Sequence, residues 1–273
     1  ESTPEPLLIS EENGFSESTG FYYPNGAQVA TIDYGRRSGE IRMAMVRADA
    51  EERLVASGEE LVLGSDPAGF IAAGGYLYRL AMPFGQQTNV ERWSIKDLRA
   101  GRDTPSLHLT FELPADFFTA SFDVDPRART AAVLLSRGLV ADSAPSLLYF
   151  VDFGGAAPVV EASEVAPARR VRVRGDEVAV VAGPTVTFRD RNGRETIFEQ
   201  HSKYIIDVLA FDRNSAYVRT DGHWLLVIDR RHPELKTLQA IELPGEATKL
   251  VEARSALVLA TESGIATLSP ACE

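Results

Sequence analysis

The chain has 273 residues, with 28 Lys plus Arg against 39 Asp plus Glu and a formal net charge of -11. That balance speaks against a nucleic-acid partner and against adhesion to an anionic membrane face, because both need a basic surface to neutralise phosphates. The single cysteine, Cys272, rules out an intrachain disulfide and any thiolate-built metal cluster.

The first six residues, Glu1-Ser2-Thr3-Pro4-Glu5-Pro6, read as an extended leader of the kind that follows a cleaved export signal, so an extracytoplasmic (periplasmic or secreted) location is expected. Leu7-Leu8-Ile9 comes next, a short apolar strand bracketed by Pro6 and the polar run Ser10-Glu11-Glu12-Asn13-Gly14. Further along, short apolar strands end in an acidic or small polar residue. They cover residues 45–49, 93–97, 149–152, 186–190, 226–229 and 266–269. Successive members lie roughly 40 to 55 residues apart, the period of four-strand propeller blades.

In the second half each of these strands is preceded by another, at residues 130–135, 177–181, 215–219 and 255–259. Turn residues stand before them: Asp125-Pro126-Arg127, Arg174-Gly175-Asp176, Asp212-Arg213-Asn214 and Ala253-Arg254. Gly, Asn, Asp and Pro supply the positive or preset φ of tight hairpins. Residues 205–211 precede one such turn as an innermost strand. Residues 236–243 follow the acidic residue as an outer strand whose alternation suits one wet face. No apolar run approaches the roughly 18 residues of a spanning helix, so no membrane insertion is expected. The pattern predicts a single all-β domain over residues 1–273, a β-propeller of about six four-stranded blades. The last unit supplies only three strands, and Leu7-Leu8-Ile9 within the 1–14 leader is expected to close the ring.

Ala216-Tyr217-Val218, Leu225-Leu226-Val227-Ile228-Asp229, His232-Pro233 and Ile241-Glu242-Leu243-Pro244-Gly245 resemble the LVIVD and YVTN types of bacterial propeller repeat. The resemblance, clearest over residues 204–268, implies a propeller, often exported, and brings no catalytic residues with it. The second unit departs from the pattern through insertions at residues 83–89 and 98–103.

Catalytic and metal signatures are missing. His108, His201, His223 and His232 form no H-x-x-x-H or H-E-x-x-H spacing, and no G-x-S-x-G occurs. Gly74-Gly75 and Gly154-Gly155 read as hairpin turns. Asp123-Val124-Asp125 and Asp190-Arg191-Asn192-Gly193 carry a faint calcium-loop flavour, but the second is also what a type I′ turn demands. No cofactor is expected, with calcium kept as the alternative.

Strand order assigns the loops joining blades, and those between second and third strands, to one end. That end collects most of the net negative charge. The candidate partner-binding residues there are Glu59, Glu60, Asp66, Phe84, Gln86, Gln87, Asp142, His201, Asp221 and His223. The leading reading is a non-enzymatic binding or scaffold module whose protein partner carries a basic patch. One alternative is a small-ligand or glycan binder using Tyr22, Tyr23, Phe84, Phe117 and Phe118. The other is a hydrolase or lyase using carboxylates with His201 or His223.

Overall fold

A computed structural model describes residues 15–22, 29–35, 40–48, 54–56, 61–65, 67–73, 76–81, 87–94, 96–97, 100, 102, 104–114, 116–137, 144–201, 203–243, 247–253, 256–261 and 264–268. The chain divides into two units, Glu1–Leu113 and Pro114–Glu273. Among the described residues its strands are antiparallel and form six sheets.

The first unit holds two sheets. One contains β1 (Phe15–Tyr22), β2 (Val29–Gly35), β3 (Glu40–Ala48), β4 (Leu54–Ala56) and β5 (Leu61–Ser65), with both β4 and β5 paired to β3. The other runs in chain order through β6 (Pro67–Ala73), β7 (Tyr76–Ala81), β8 (Gln87–Ser94) and β9 (Leu107–Glu112). The strand expected over residues 93–97 ends earlier, at Ser94, and Lys96–Asp97 are helical. The Ser94 hydroxyl accepts the Asp97 N–H at 3.3 Å, and the Asp97 carbonyl accepts the Ala100 and Arg102 N–H groups. Serine capping of a helical turn outcompetes the ladder at this point.

The second unit holds three four-stranded meanders and a three-stranded one. They are β10 (Phe117–Asp125), β11 (Thr130–Arg137), β12 (Ser146–Asp152) and β13 (Val159–Val165); then β14 (Arg170–Arg174), β15 (Glu177–Ala182), β16 (Thr185–Asp190) and β17 (Glu195–Glu199). The third is β18 (Ile205–Phe211), β19 (Ser215–Thr220), β20 (Trp224–Asp229) and β21 (Lys236–Glu242); the last is β22 (Ala247–Ala253), β23 (Ala256–Thr261) and β24 (Gly264–Leu268). The opening strands β10, β14, β18 and β22 neighbour one another in turn.

Alternation explains how these sheets stack. On β15, Val178 and Val180 join a core with Leu134, Leu148 and Phe150 of the preceding sheet. The alternate residues, Ala179 and Val181, join a second core with Val208, Phe211 and Leu226 of the following sheet. A strand buried on both faces therefore reads as a continuous apolar run, as Val178-Ala179-Val180-Val181 does. The outer strand β21 differs from its sequence pattern: every residue except the half-buried Ile241 is exposed, so neither face is covered.

The acidic residues that close the strands have one shared purpose. Asp152 accepts the Gly154 N–H at 2.8 Å, Asp190 the Arg194 N–H at 2.9 Å and Asp229 the Arg231 N–H at 3.0 Å. Asp125 and Asp212 do the same for Arg127 and Asn214. Each carboxylate satisfies turn donors that the ladder leaves over. The 190–193 turn is not type I′. Gly193 alone has positive φ (79°), and its N–H donates to the Asp190 carbonyl at 3.0 Å, giving a type I turn with a left-handed glycine after it.

Candidate functional site

Three loops of the second unit meet at one end. The Gly183 and Pro184 carbonyls accept the N–H groups of Ile205 and Gln200, the Tyr204 carbonyl accepts the Asp221 N–H at 3.0 Å, and the His223 carbonyl accepts the Leu243 N–H at 2.8 Å. Sequence order placed these loops together, and the hydrogen bonds do so in fact. The β19–β20 turn spans only Asp221, Gly222 and His223. Gly222 and His223 both adopt left-handed backbone, at φ 71° and 64°. Glycine does this freely, whereas a histidine held there stores strain.

That turn shapes a depression of about 250 Å³ lined by Ile206, Arg219, Thr220, Asp221, Gly222 and His223. Ile206 is 38% exposed and Tyr204, two residues earlier, 66%. The Lys203 ammonium lies 4.2 Å from the Trp224 ring centre, a cation–π contact that fixes the loop's lysine over an aromatic ring. His201 is exposed, with Nδ1 3.4 Å from a Glu199 carboxylate oxygen.

The structure thus brings Asp221 and His223 into one depression and places His201 in the loop tied to it. Gln87 opens β8 and is exposed in the first unit. Glu59, Glu60, Asp66, Phe84, Gln86 and Asp142 lie outside the described residues. Sequence reading missed Tyr204 and Ile206, whose apolar side chains beside a turn looked like ordinary strand residues. Only the position of Tyr204 directly before β18, outside the alternation, could have drawn attention to it.

A second constellation lies on the opening strands. Ser121, Asp123 and Asp125, alternate residues of β10, accept the N–H groups of Val171, Val173 and Gly175 on and just after β14, at 3.1, 2.9 and 2.9 Å. From β14, Arg172 reaches the Asp207 carboxylate of β18 at 2.5 Å and the Val208 carbonyl at 3.0 Å, with Asp123 at 3.7 Å. Burial pushes the Asp123 carboxyl up to about 6, against the opposing pull of Arg172. On the Arg172 guanidinium, burial works downward, but the Asp207 and Asp123 carboxylates outweigh it and hold it above its usual range. Asp123 and Asp125 thus serve as acceptors for backbone donors of the next sheet. Among the described residues, no group of three or more His, Cys, Asp or Glu converges on a point.

The other end of the second unit is held by Arg230, whose side chain is only 5% exposed. Its guanidinium stacks 3.9 Å from the Phe188 ring centre and 5.3 Å from that of Phe211, and it binds the Glu177 carboxylate and the Asp212 carbonyl. Planar cation, aromatic faces and two acceptors make this a clasp between sheets.

No family model matches this sequence, and no curated protein matches it. Among solved structures, the chain is similar to Hsv2 of Kluyveromyces marxianus, with a TM-score of 0.59 and 11% identity over 96% of this chain and 82% of that one. It is also similar to Hsv2 of Kluyveromyces lactis with its complete 6CD loop, with a TM-score of 0.55 and 11% identity over 93% and 80%. Hsv2 is a yeast β-propeller, and the likeness shows that fold for this chain.

Proposed function

We propose that this chain is a non-enzymatic binding module that docks a protein partner carrying a basic patch. Its contact surface is the end of the second unit where the β17–β18 loop meets the β19–β20 turn. The observation that carries the reading is the pairing of exposed Tyr204 and Ile206 with the depression lined by Asp221 and His223. Apolar anchors ringed by polar groups are the usual form of an interface hot spot. A propeller offers rigid sheets with free loops, and function then resides in the loops. Six blades, a ring closed by Leu7-Leu8-Ile9 and an extracytoplasmic location belong to the same proposal. The last sheet has three described strands where the other sheets of the second unit have four.

A photo-crosslinking residue at position 204 recovers the partner, whose binding is then followed kinetically at low and high salt. Tyr204→Ala raises the dissociation rate about tenfold or more, as loss of a hot-spot aromatic does. Asp221→Lys lowers the association rate and flattens its salt dependence. If both variants bind like the parent at every salt concentration, this end is not the docking surface.

A further inference from the structure

Lys203 belongs to the β17–β18 loop and Trp224 opens β20, so the 4.2 Å approach of ammonium to ring centre joins two segments at the end where the depression lies. Three other cations that lie over rings, Arg79, Arg191 and Arg230, each bind a carboxylate as well. The Lys203 ammonium has no carboxylate and no hydrogen-bond acceptor among the described residues; the ring alone holds it. Trp224 and Lys203 are both half-buried. A single cation–π contact in such a place is weak, and an ammonium held by nothing else exchanges readily with other cations.

The surroundings of the ring suit a different cation better. Glu242 is the cross-strand neighbour of Trp224 on β21, so the two side chains leave the sheet on one face. Glu242 and Asp221 are exposed, and neither has an ionic partner among the described residues. Arg219 and His223 line the depression close by, so charge alone does not select the occupant. The selecting feature is an aromatic face with an unpaired carboxylate beside it. A guanidinium uses both at once, stacking its plane on the ring and donating from its edge to the carboxylate. The compact ammonium of Lys203 engages the ring and no carboxylate.

We propose that Lys203 is a resident stand-in on Trp224, displaced when an arginine of the partner stacks on the ring and engages Glu242. This rests on the docking end argued above, and adds to it the side chain that is read and an internal competitor that restrains affinity.

The test uses the full chain and follows the indole N–H resonances of its two tryptophans. The Trp224 resonance is the one lost in Trp224→Leu, and buried Trp93 of the first unit is the reference. The probes are capped tetra-arginine, tetra-lysine and tetra-glutamine peptides. Tetra-arginine shifts the Trp224 resonance saturably, tetra-lysine does so more weakly, and tetra-glutamine does not. At saturation the Lys203 ε-methylene protons lose the upfield shift that the ring imposes on them. Lys203→Ala tightens tetra-arginine about three- to sixfold, the factor by which one exposed cation–π contact competes. Glu242→Gln weakens it. Unchanged or weaker binding to Lys203→Ala, equal binding of the two basic peptides, no shift with either, or Lys203 protons still shifted at saturation overturns the proposal. The peptides need no partner, so such a failure leaves the Tyr204→Ala and Asp221→Lys kinetics to decide the docking end separately.

Discussion

The carboxylate of Asp123 accepts the backbone N–H of Val173 at 2.9 Å, joining the opening strands of two consecutive sheets by a side-chain bond rather than a ladder. Because Arg172 stands between Asp123 and Asp207, the same carboxylate also belongs to an ionic chain across three sheets. Its burial has a consequence for pH. The folded-state carboxyl titrates near 6, above its ordinary value of 3.8, so the folded protein holds this proton more tightly than the unfolded chain does. The stabilisation from protonation is fully present below about 4 and is lost as pH rises through 6. Its size is on the order of 1 to 3 kcal/mol. Asp123→Asn keeps an acceptor for Val173 and removes the titration. Urea midpoints measured from pH 4 to 7 should show the parent losing stability across this window relative to the variant. Parallel curves would contradict the assignment.

Arg230 is the second test. Replacing it with Met strands Glu177 and removes two aromatic contacts, for an expected loss of about 2 to 4 kcal/mol in urea denaturation. Arg230→Lys should recover little of this, because an ammonium cannot stack flat on Phe188 while serving both acceptors. Full rescue by lysine would mean that charge alone matters there.

His223 carries a backbone penalty in the left-handed region. His223→Gly should raise stability by up to about 1 kcal/mol, read as a shift in melting temperature. The same variant should weaken partner binding, since the side chain lines the depression. A variant that is both more stable and equally competent in binding would make the histidine's strain purely incidental.

Gly193 gives the matching control at the opposite end. With φ at 79°, Gly193→Ala should cost about 1 kcal/mol through strain alone and leave partner binding untouched. A binding defect in that variant would place the interface at the wrong end.

Ring closure by Leu7-Leu8-Ile9 predicts that removing residues 1–10 lowers the melting temperature by about 5 °C or more. An unchanged melting temperature would show that the last sheet finds its edge strand elsewhere.

The architecture was legible because strand ends, not strand interiors, carried the signal. Asp152, Asp190 and Asp229 recur where a turn needs an acceptor, and that chemistry is local enough to survive in a single sequence. The role of Asp123 was not legible. Asp123-Val124-Asp125 is equally a turn, a metal loop or a set of acceptors, and only the approach of Val173, fifty residues on, decides among them. The exposure of β21 was hidden for a related reason. Its alternation is real, but the strand stands clear of the cores and its apolar positions stay uncovered. Loop order alone put Asp221 and His223 at the same end, whereas the exposure of Tyr204 and Ile206 needed the turn geometry.

The ladder of Ser121, Asp123 and Asp125 onto Val171, Val173 and Gly175 also limits how this protein can be cut and recombined. A four-strand sheet looks like the natural module for duplication or grafting, with boundaries in the loops before β10, β14 and β18. A sheet transplanted at those boundaries arrives without the donors or acceptors its opening strand expects, leaving buried polar groups unsatisfied along the whole seam. Chimaeras should therefore keep Ser121 to Gly175 as one indivisible piece, so that the portable element is one sheet together with the first strand of the next.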